Sequence, residues 1–211
     1  VALIIMICLL VPNIWLAYQK WHLTVNVVHP RVDRKIRVQS FFAGIVTGML
    51  TPNMMGNFIG RFYYFERRYR VPITLFTLLS NFGQFLASIT FGWISILVVG
   101  GLIVLKEERS LVLWLGGGLV LAYLIYFYID NFLSRFKDKR YFKKFHETLQ
   151  LNRFYRIKIL GLSVLRLLIF TAQFSILLFA FGEEIDWFDI LAIWQVYLLT
   201  MMAPSLLLGK I

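Results

Sequence analysis

The sequence predicts an all-α polytopic membrane protein with about four full spans and two short re-entrant hairpins, arranged in part as an inverted-topology repeat. Three observations predict this class. Hydrophobic residues make up 59% of the 211 residues, charged residues only 16%, and the mean hydropathy is +0.72. An ordinary soluble domain is about 45–50% apolar and about 25% charged. The charges lie in short runs between apolar segments, and two of those segments are too short to cross a bilayer.

Four apolar segments are each long enough to cross a bilayer, which takes about 20 residues. In chain order they are residues 1–17, 72–105, 111–129 and 159–181. The second is longer than one span needs, so we expect a single tilted helix there. Both ends of the chain fall within apolar segments, so we expect residues 1–211 to be a single transmembrane domain taken from a longer chain.

Two further apolar segments are too short to cross. Residues 38–50 number about 13 and stop at Thr51-Pro52. Residues 190–202 are of similar length and stop at Ala203-Pro204-Ser205. Broken backbone at membrane depth is tolerated only where it is buried in protein or lines a wet cavity. Each segment is therefore predicted to form a re-entrant hairpin.

The basic runs predict which ends face the cytoplasm. The chain carries 22 Lys and Arg against 11 Asp and Glu, a net charge of +11. In a soluble protein this balance would indicate nucleic-acid binding, but basic runs between spans are typical of cytoplasmic loops beside anionic lipid. We therefore expect a membrane partner and no nucleic acid. The predicted cytoplasmic loops are residues 19–37, 61–70 and 132–158, and the predicted membrane is the bacterial inner membrane.

Sidedness also predicts the repeat. Basic loops on both sides of residues 38–60 require this segment to enter and leave on the same side, whereas the acidic loop 182–189 falls on the outer side. An odd number of spans separates the two short segments, so they have opposite orientation. This predicts an inverted-topology repeat, a common transporter plan. Its first half is residues 1–105, and residues 157–211 begin its second half.

Polar residues at the first break are candidates for binding an anion. Asn53 and Asn57 are four apart and share a helical face, with Arg61 one turn further on and Thr51 before the Pro. Neutral donors and one permanent cation suit a lipid phosphate. The alternative is that Gly and Pro only let helices pack closely, while Arg61 reaches the headgroups from an apolar stem.

Polar residues within the predicted spans are the second group of candidates. Arg166 lies inside a span, where a cation costs about 2.5–3.5 kcal/mol on insertion scales, and Gln173 is seven residues later on about the same face. Asn81 and Gln84 share a face of the long span and are expected to line the same cavity. Structural hydrogen bonds between helices are the alternative for both pairs.

Catalytic chemistry has little support in the sequence. His22, His29 and His146 are predicted in loops, and none has a second ligand at metal-binding spacing. No nucleophile elbow or Gly-rich phosphate loop occurs, and paired carboxylates occur only at predicted helix ends. We therefore expect no enzyme and no cofactor.

The breaks in the apolar segments resemble those of a known family. Residues 37–61, with the Thr51-Pro52 break and Arg61, are similar to the lysylphosphatidylglycerol synthase transmembrane-region family, which includes the flippase domain of the multiple peptide resistance factor. Residues 163–173, and the ending at 203–209, also resemble later parts of that family. Where many members have consecutive glycines, this sequence has Pro52-Asn53-Met54-Met55-Gly56. The resemblance implies a lipid-translocating membrane protein.

The resulting expectation is a flippase-like protein that holds a phosphate-bearing lipid between two re-entrant hairpins. The lipid is a phospholipid or a polyprenyl-phosphate-type lipid. The expected binding residues are Thr51, Asn53, Asn57, Arg61, Asn81, Gln84, Arg166, Gln173 and Ser205. The alternative is a non-transporting scaffold that anchors or regulates a lipid- or cell-wall-modifying enzyme. A second copy of the chain or such an enzyme is then the expected protein partner.

Overall fold

The structure is a computed structural model that describes residues 2–51, 56–103, 109–134 and 153–202. Seven helices occupy these ranges. They are α1 (Ala2–Val28), α2 (Arg34–Met49), α3 (Gly56–Phe62), α4 (Arg67–Ile103), α5 (Arg109–Ser134), α6 (Arg153–Ala180) and α7 (Trp187–Met202). Helices α1, α4, α5 and α6 are long and apolar enough to cross a membrane. The predicted helical class is therefore confirmed for the described residues. Four helices have the length and composition of spans, as predicted, and this is compatible with a multi-pass membrane protein.

Helix α1 runs antiparallel to α6. Asn13 of α1 donates to the Oε1 of Gln173 across 3.2 Å, and Thr24, further along α1, meets the Tyr155 hydroxyl at 3.1 Å. Residue numbers thus rise along one helix as they fall along the other. These polar contacts link the two helices at several levels between apolar layers.

Helix α4 runs parallel to α6 and therefore antiparallel to α1. The rings of Phe76 and Tyr155 meet edge to face, with centroids 6.0 Å apart, and the Nε2 of Gln84 donates to the Ser163 carbonyl at 3.3 Å. The C-terminus of α1 and the N-termini of α4 and α6 consequently lie at one end of the bundle. We call this the basic end, because the first turns of α4 and α6 carry the arginines Arg67, Arg68, Arg70, Arg153 and Arg156.

Helices α2 and α3 form an antiparallel hairpin between α1 and α4. The Thr47 hydroxyl of α2 donates to the Gly56 carbonyl of α3 at 2.7 Å, and the Gly56 N–H donates to the Thr51 hydroxyl at 2.6 Å. Gly60 lies against Ala43, one turn earlier in α2. The hairpin starts and ends beside the basic end of the bundle. Whether it is re-entrant in a membrane stays a prediction.

Helix α7 packs across α4 and α6. The Ser95 hydroxyl of α4 donates to the Leu191 carbonyl at 2.7 Å, and the Trp194 indole donates to the Thr171 hydroxyl of α6 at 3.0 Å. The turn before α7 contains Gly182 with φ of 92°, a left-handed conformation that favours glycine. Helix α7 runs antiparallel to α6, whereas α2 runs antiparallel to α1 from the other end. The predicted second break at 203–205 lies outside the described residues, so the repeat stays a prediction.

Several predicted helix boundaries are wrong, all in the same direction. Helix α1 continues to Val28 instead of stopping at residue 17, so Lys20 and His22 belong to a helix and not to the predicted loop 19–37. The predicted loop 61–70 contains the end of α3 and the start of α4, and α6 begins inside the predicted loop 132–158. Residues 135–152 of that loop lie outside the described residues. Charged side chains interrupt a hydropathy pattern, but they do not interrupt a helix whose other residues pack against neighbours.

A buried arginine fastens α6 to α5. Arg156 is fully buried and donates to the Asp130 carboxylate and to the Tyr126 carbonyl. In return, the Tyr126 hydroxyl donates to the Arg156 carbonyl at 3.2 Å. The sequence placed Arg156 in the predicted cytoplasmic loop 132–158. In the structure Arg156 lies inside α6 and bonds that helix to α5 within the bundle.

Replacing Gly60 with Ala is expected to loosen the hairpin. A Cβ at Gly60 would collide with the Thr47 hydroxyl and with the Ala43 carbonyl, which is backbone and cannot move aside. Overpacking of this kind costs about 1–3 kcal/mol. Hydrogen–deuterium exchange over residues 34–62 measures it, and protection should fall in the variant.

The matched control for this substitution is Gly117→Ala in α5. A Cβ added at Gly117 meets nothing within 4 Å. Ala is a better helix former than Gly by about 1 kcal/mol, so the control should retain or gain stability. Equal protection of the hairpin in Gly60→Ala and in wild type would contradict the close packing of α3 on α2.

Candidate functional site

A buried lysine lies where α1, α4 and α6 meet. The Lys20 side chain is only 5% exposed. Its Nζ donates to the Ser163 hydroxyl at 2.8 Å and to the Oε1 of Gln84 at 3.4 Å. Ser163 and Gln84 are themselves buried. Both partners are neutral, so this environment satisfies some of the donors of the ammonium group without balancing its charge.

A second cation, Arg166, lies near the middle of α6. Its Nε donates to the Oδ1 of Asn13 at 2.9 Å. Asn13 in turn donates to Gln173, whose Nε2 donates to the Met6 carbonyl at 3.4 Å. Arg166 is thus held by a chain of neutral amides that joins α1 to α6. The predicted pair of Arg166 and Gln173 is brought together through Asn13.

The third cation, Arg61, comes from the hairpin. Its guanidinium lies over the Trp21 ring at 4.8 Å and near the Phe41 ring at 6.0 Å. Within the part of the chain that the structure describes, its Nε and the Oδ1 of Asn57 are both buried without a hydrogen-bond partner. Both side chains lie against Gly44, where α2 has no side chain to displace them. Burying such groups unpaired costs about 1–3 kcal/mol each.

The three cations form one group, which we call the cation cluster: Lys20, Arg61 and Arg166. Lys20 donates to Ser163, which is one turn before Arg166 in α6, and the Arg61 guanidinium lies over the ring of Trp21, the residue after Lys20. Each cation comes from a different helix, so the fold and not the local sequence brings them together. Positive charges on neighbouring buried groups repel one another, and burial strengthens that repulsion.

The acidic residues within the described ranges lie elsewhere. Asp33 caps the N-terminus of α2, Glu66 pairs with Arg68 at 2.9 Å, and Asp130 pairs with Arg156. The other described acids are Glu183, Glu184, Asp186 and Asp189, in the turn before α7 and its first helical turn. No salt bridge among the described residues reaches the cation cluster. Within this part of the chain the cluster contains three basic side chains, and no carboxylate pairs with them.

The cluster sits at mid-depth in the bundle. Arg166 is about midway along Arg153–Ala180, and Gln84 is about midway along Arg67–Ile103. An unpaired charge in such a position costs several kcal/mol. Groups of this kind inside a membrane are a functional-site hypothesis by default. The chemistry offered is that of N–H donors and positive charge, which fits an anion.

Apart from Asn81, the predicted residues divide into three groups. Asn57, Arg61, Gln84, Arg166 and Gln173 lie in or beside the cluster. The Thr51 hydroxyl is used inside the hairpin, where it donates to the Thr47 carbonyl at 3.0 Å. Asn53 and Ser205 lie outside the described residues.

The structure does not place Asn81 beside Gln84, with which it was predicted to share a cavity. Asn81 is exposed, whereas Gln84 is buried. Positions three apart on an α-helix differ by about 60° around its axis. On a helix with a narrow buried stripe, that angle is enough to put one side chain inside and the other outside.

Sequence reasoning missed Lys20, Asn13 and Ser163. Lys20 was assigned to the basic loop because the apolar run weakens after residue 17. A signal was nevertheless present: Asn13 and Lys20 are seven apart, which places them on one helical face, and no Pro or Gly lies between Asn13 and Pro30. Ser163 gave no signal, since a small hydroxyl within a span is usually bonded to its own backbone.

An apolar groove lies on the surface of the bundle, beside the amide chain that holds Arg166. It has a volume of about 270 Å³ and lies between α1 and α6. Its lining residues are Met6, Ile7, Leu10, Phe170, Gln173, Phe174 and Leu177. Gln173 belongs both to the groove and to the amide chain, and Asn13 links it to Arg166.

Known proteins were compared with the chain as sequences, as families and as structures. No protein-family model, no curated protein and no solved structure matches it. The function is therefore inferred from the chemistry of the cation cluster and its surroundings.

Proposed function

We propose that the protein binds the phosphate group of a lipid at the cation cluster and moves that lipid across the membrane. The observation that supports this most directly is the set of three buried cations without a described carboxylate. A ligand anion would supply the missing charge. Because the cluster lies at mid-depth in helices long enough to span, the anion would be held inside the bilayer and not at its surface.

The donors at the cluster suit phosphate. Arg guanidinium groups match the oxygens of phosphate with two parallel hydrogen bonds, and such charge-assisted bonds are stronger than neutral ones. The Nε of Arg61 is buried without a hydrogen-bond partner among the described residues. The amides of Asn13 and Gln173 are neutral and add no opposing charge.

A lipid is favoured over a water-soluble anion by the apolar groove. Its lining is almost entirely hydrocarbon, and its one amide side chain, Gln173, lies on the side of the cluster. A phosphate on the cluster would leave the attached hydrocarbon chain next to this groove. The hydrophobic effect would hold the chain there or in the surrounding lipid.

Topology supports transport in preference to simple anchoring. The hairpin and α7 approach the bundle from opposite ends, as two re-entrant elements of an inverted repeat would. Arginines in the first turns of α4 and α6, and acidic residues before α7, support a cytoplasmic basic end. We include in this proposal a relationship to the lysylphosphatidylglycerol synthase transmembrane-region family, which the sequence resembles. The proposed membrane is the bacterial inner membrane.

The proposal predicts that Arg166→Leu and Arg61→Ala each reduce lipid flipping at least about tenfold. Loss of one charge-assisted contact to a buried anion typically costs 2–5 kcal/mol, and about 1.4 kcal/mol is tenfold. The measurement is the transfer of a fluorescent phosphate-bearing lipid between leaflets of proteoliposomes. Each variant is first shown to be folded by its thermal transition in detergent.

The matched control is Arg68→Ala. Arg68 is exposed, pairs with Glu66 at the surface and lies over the Tyr69 ring at 4.7 Å. An exposed ion pair of this kind contributes about 0–1 kcal/mol. Flipping by this variant should equal that of wild type. Unchanged flipping in folded Arg166→Leu and Arg61→Ala proteins would overturn the site and favour the non-transporting scaffold.

A further inference from the structure

We infer that His22 and Arg37 form a pH-sensitive latch that fastens the hairpin to α1. The Nη1 of Arg37, near the start of α2, lies 2.6 Å from the Nδ1 of His22 and 3.5 Å from its Nε2. His22 is in the last third of α1, towards the basic end of the bundle. The action of this latch does not depend on which ligand the protein carries.

The contact needs a neutral histidine. A guanidinium group has N–H donors and no acceptor, so the ring nitrogen that faces it must accept. In a neutral imidazole one nitrogen accepts and the other carries the proton, whereas both nitrogens are donors once the ring is protonated. Protonated His22 would therefore set an N–H group and a positive charge against the guanidinium of Arg37. Proton binding by His22 and its contact with Arg37 exclude each other.

The other neighbours of His22 do not offset this repulsion. The side-chain amide of Asn26 lies 2.9 Å from Nε2 and can present either its oxygen or its NH2 group, so it suits both forms of the ring. The centroids of the Tyr18 and His22 rings are 6.2 Å apart. Among the described residues no carboxylate pairs with His22, and no titratable group of α3, α4 or α6 bonds to it or stacks on it. Arg37 is thus the neighbour whose contact depends on the charge of His22.

Arg37 also carries a backbone bond between the two helices. Its carbonyl accepts from the Trp21 indole at 2.9 Å and from the Ser40 hydroxyl at 3.0 Å. Among the described residues its Nε is buried without a partner, and its side-chain hydrogen bonds go to His22. Once His22 is protonated, the guanidinium would be partly buried beside a positive charge, which is costly. Movement of Arg37 towards solvent would disturb the adjacent Trp21 bond and loosen α2 on α1.

The test is hydrogen–deuterium exchange of the intact protein in detergent at about pH 8 and about pH 5.5, a range in which histidine is the side chain that titrates. Protection factors, which correct for the pH dependence of intrinsic exchange, are compared for residues 34–49. In wild type they should fall at least about tenfold at the lower pH, because a hydrogen bond of a charged group contributes enough for a change of that size. Residues 159–180 of α6 should keep their protection.

Two variants test the assignment to His22 and Arg37. His22→Gln keeps an acceptor for Arg37 but cannot be protonated, and Arg37→Gln removes the charge that repels a protonated ring. Each should reduce the pH effect on residues 34–49 to about threefold or less. The matched control is His29→Gln, because His29 stacks on the Tyr69 ring of α4 with centroids 4.4 Å apart. This control should retain the wild-type effect.

Each outcome has a distinct meaning, and the thermal transition of each variant shows whether it is folded. Equal protection of residues 34–49 at the two pH values in wild type would overturn the latch. An equal fall across α6 would indicate general unfolding and would also overturn it, as would an undiminished pH effect in folded His22→Gln protein. If that variant does not fold, an undiminished effect in Arg37→Gln has the same meaning. Loss of the effect in folded His29→Gln protein would place the sensor at His29 and overturn the role of His22.

Discussion

Arg156→Leu is expected to destabilise the folded protein by about 3–5 kcal/mol, the cost of breaking a buried ion pair by removing one partner. Arg156 is fully buried and donates to both the Asp130 carboxylate and the Tyr126 carbonyl. Leu fills part of the space but supplies no donor. The Asp130 carboxylate, which is itself mostly buried with 19% of its side chain exposed, loses that cation.

The free energy of unfolding in mixed micelles measures this effect. The matched control is Lys158→Leu, two residues further along α6, where the lysine is exposed. Surface changes of this kind stay within about ±0.5 kcal/mol. A control that fell as far as Arg156→Leu would show that loss of a positive charge at the basic end, and not loss of the buried bonds, causes the change.

A double-mutant cycle with Asp130→Asn isolates the ion pair. If the carboxylate left behind is the main cost, Asp130→Asn should restore part of the stability of Arg156→Leu. Residues in one network typically show a coupling of about 0.5–3 kcal/mol. Strictly additive losses would mean that the bond to the Tyr126 carbonyl, and not the ion pair, holds α5 to α6.

The spans could be predicted because hydropathy depends on composition over about 20 residues, and composition is local. The ends of the helices could not be predicted in the same way. Arg156 and Lys20 were both assigned to loops because charge ends an apolar run. Both lie inside helices, because each finds its partners on another helix. Hydropathy averaged over neighbouring residues contains no information about hydrogen-bond partners that are distant in sequence.

The candidate site was predictable to the extent that each residue stood alone in apolar surroundings. Arg166 did, so its cost in a membrane could be recognised without a structure. Arg61 was selected instead by its spacing from Asn53 and Asn57. Lys20 stood among aromatic and polar residues and looked like the edge of a loop. Asn81 was misplaced because periodicity gives the angle between two side chains but not the width of the buried stripe. Only the packing of α1 on α4 and α6 decided those two cases.

Lys20→Met is expected to stabilise the ligand-free protein while it weakens anion binding. Met has a similar unbranched stem and no charge. Replacing buried charge by apolar residues of similar volume is often stabilising by about 1–4 kcal/mol, and here the repulsion from Arg61 and Arg166 is also removed. Against this, the Oε1 of Gln84 loses a long hydrogen bond of 3.4 Å, a loss that is at most about 1–3 kcal/mol.

The balance favours the variant because Ser163 keeps a partner. Its hydroxyl donates to the Ile159 carbonyl at 2.7 Å, independently of Lys20. The midpoint of thermal unfolding in detergent without added anion should therefore rise in Lys20→Met. The control is Lys35→Met, at an exposed lysine of α2, and it should leave the midpoint unchanged. Stabilising changes that weaken function are typical of residues that a binding site needs and the fold does not. A lower midpoint would mean that the Lys20 charge is already balanced in the folded chain, which would remove the reason for expecting an anion at the cluster.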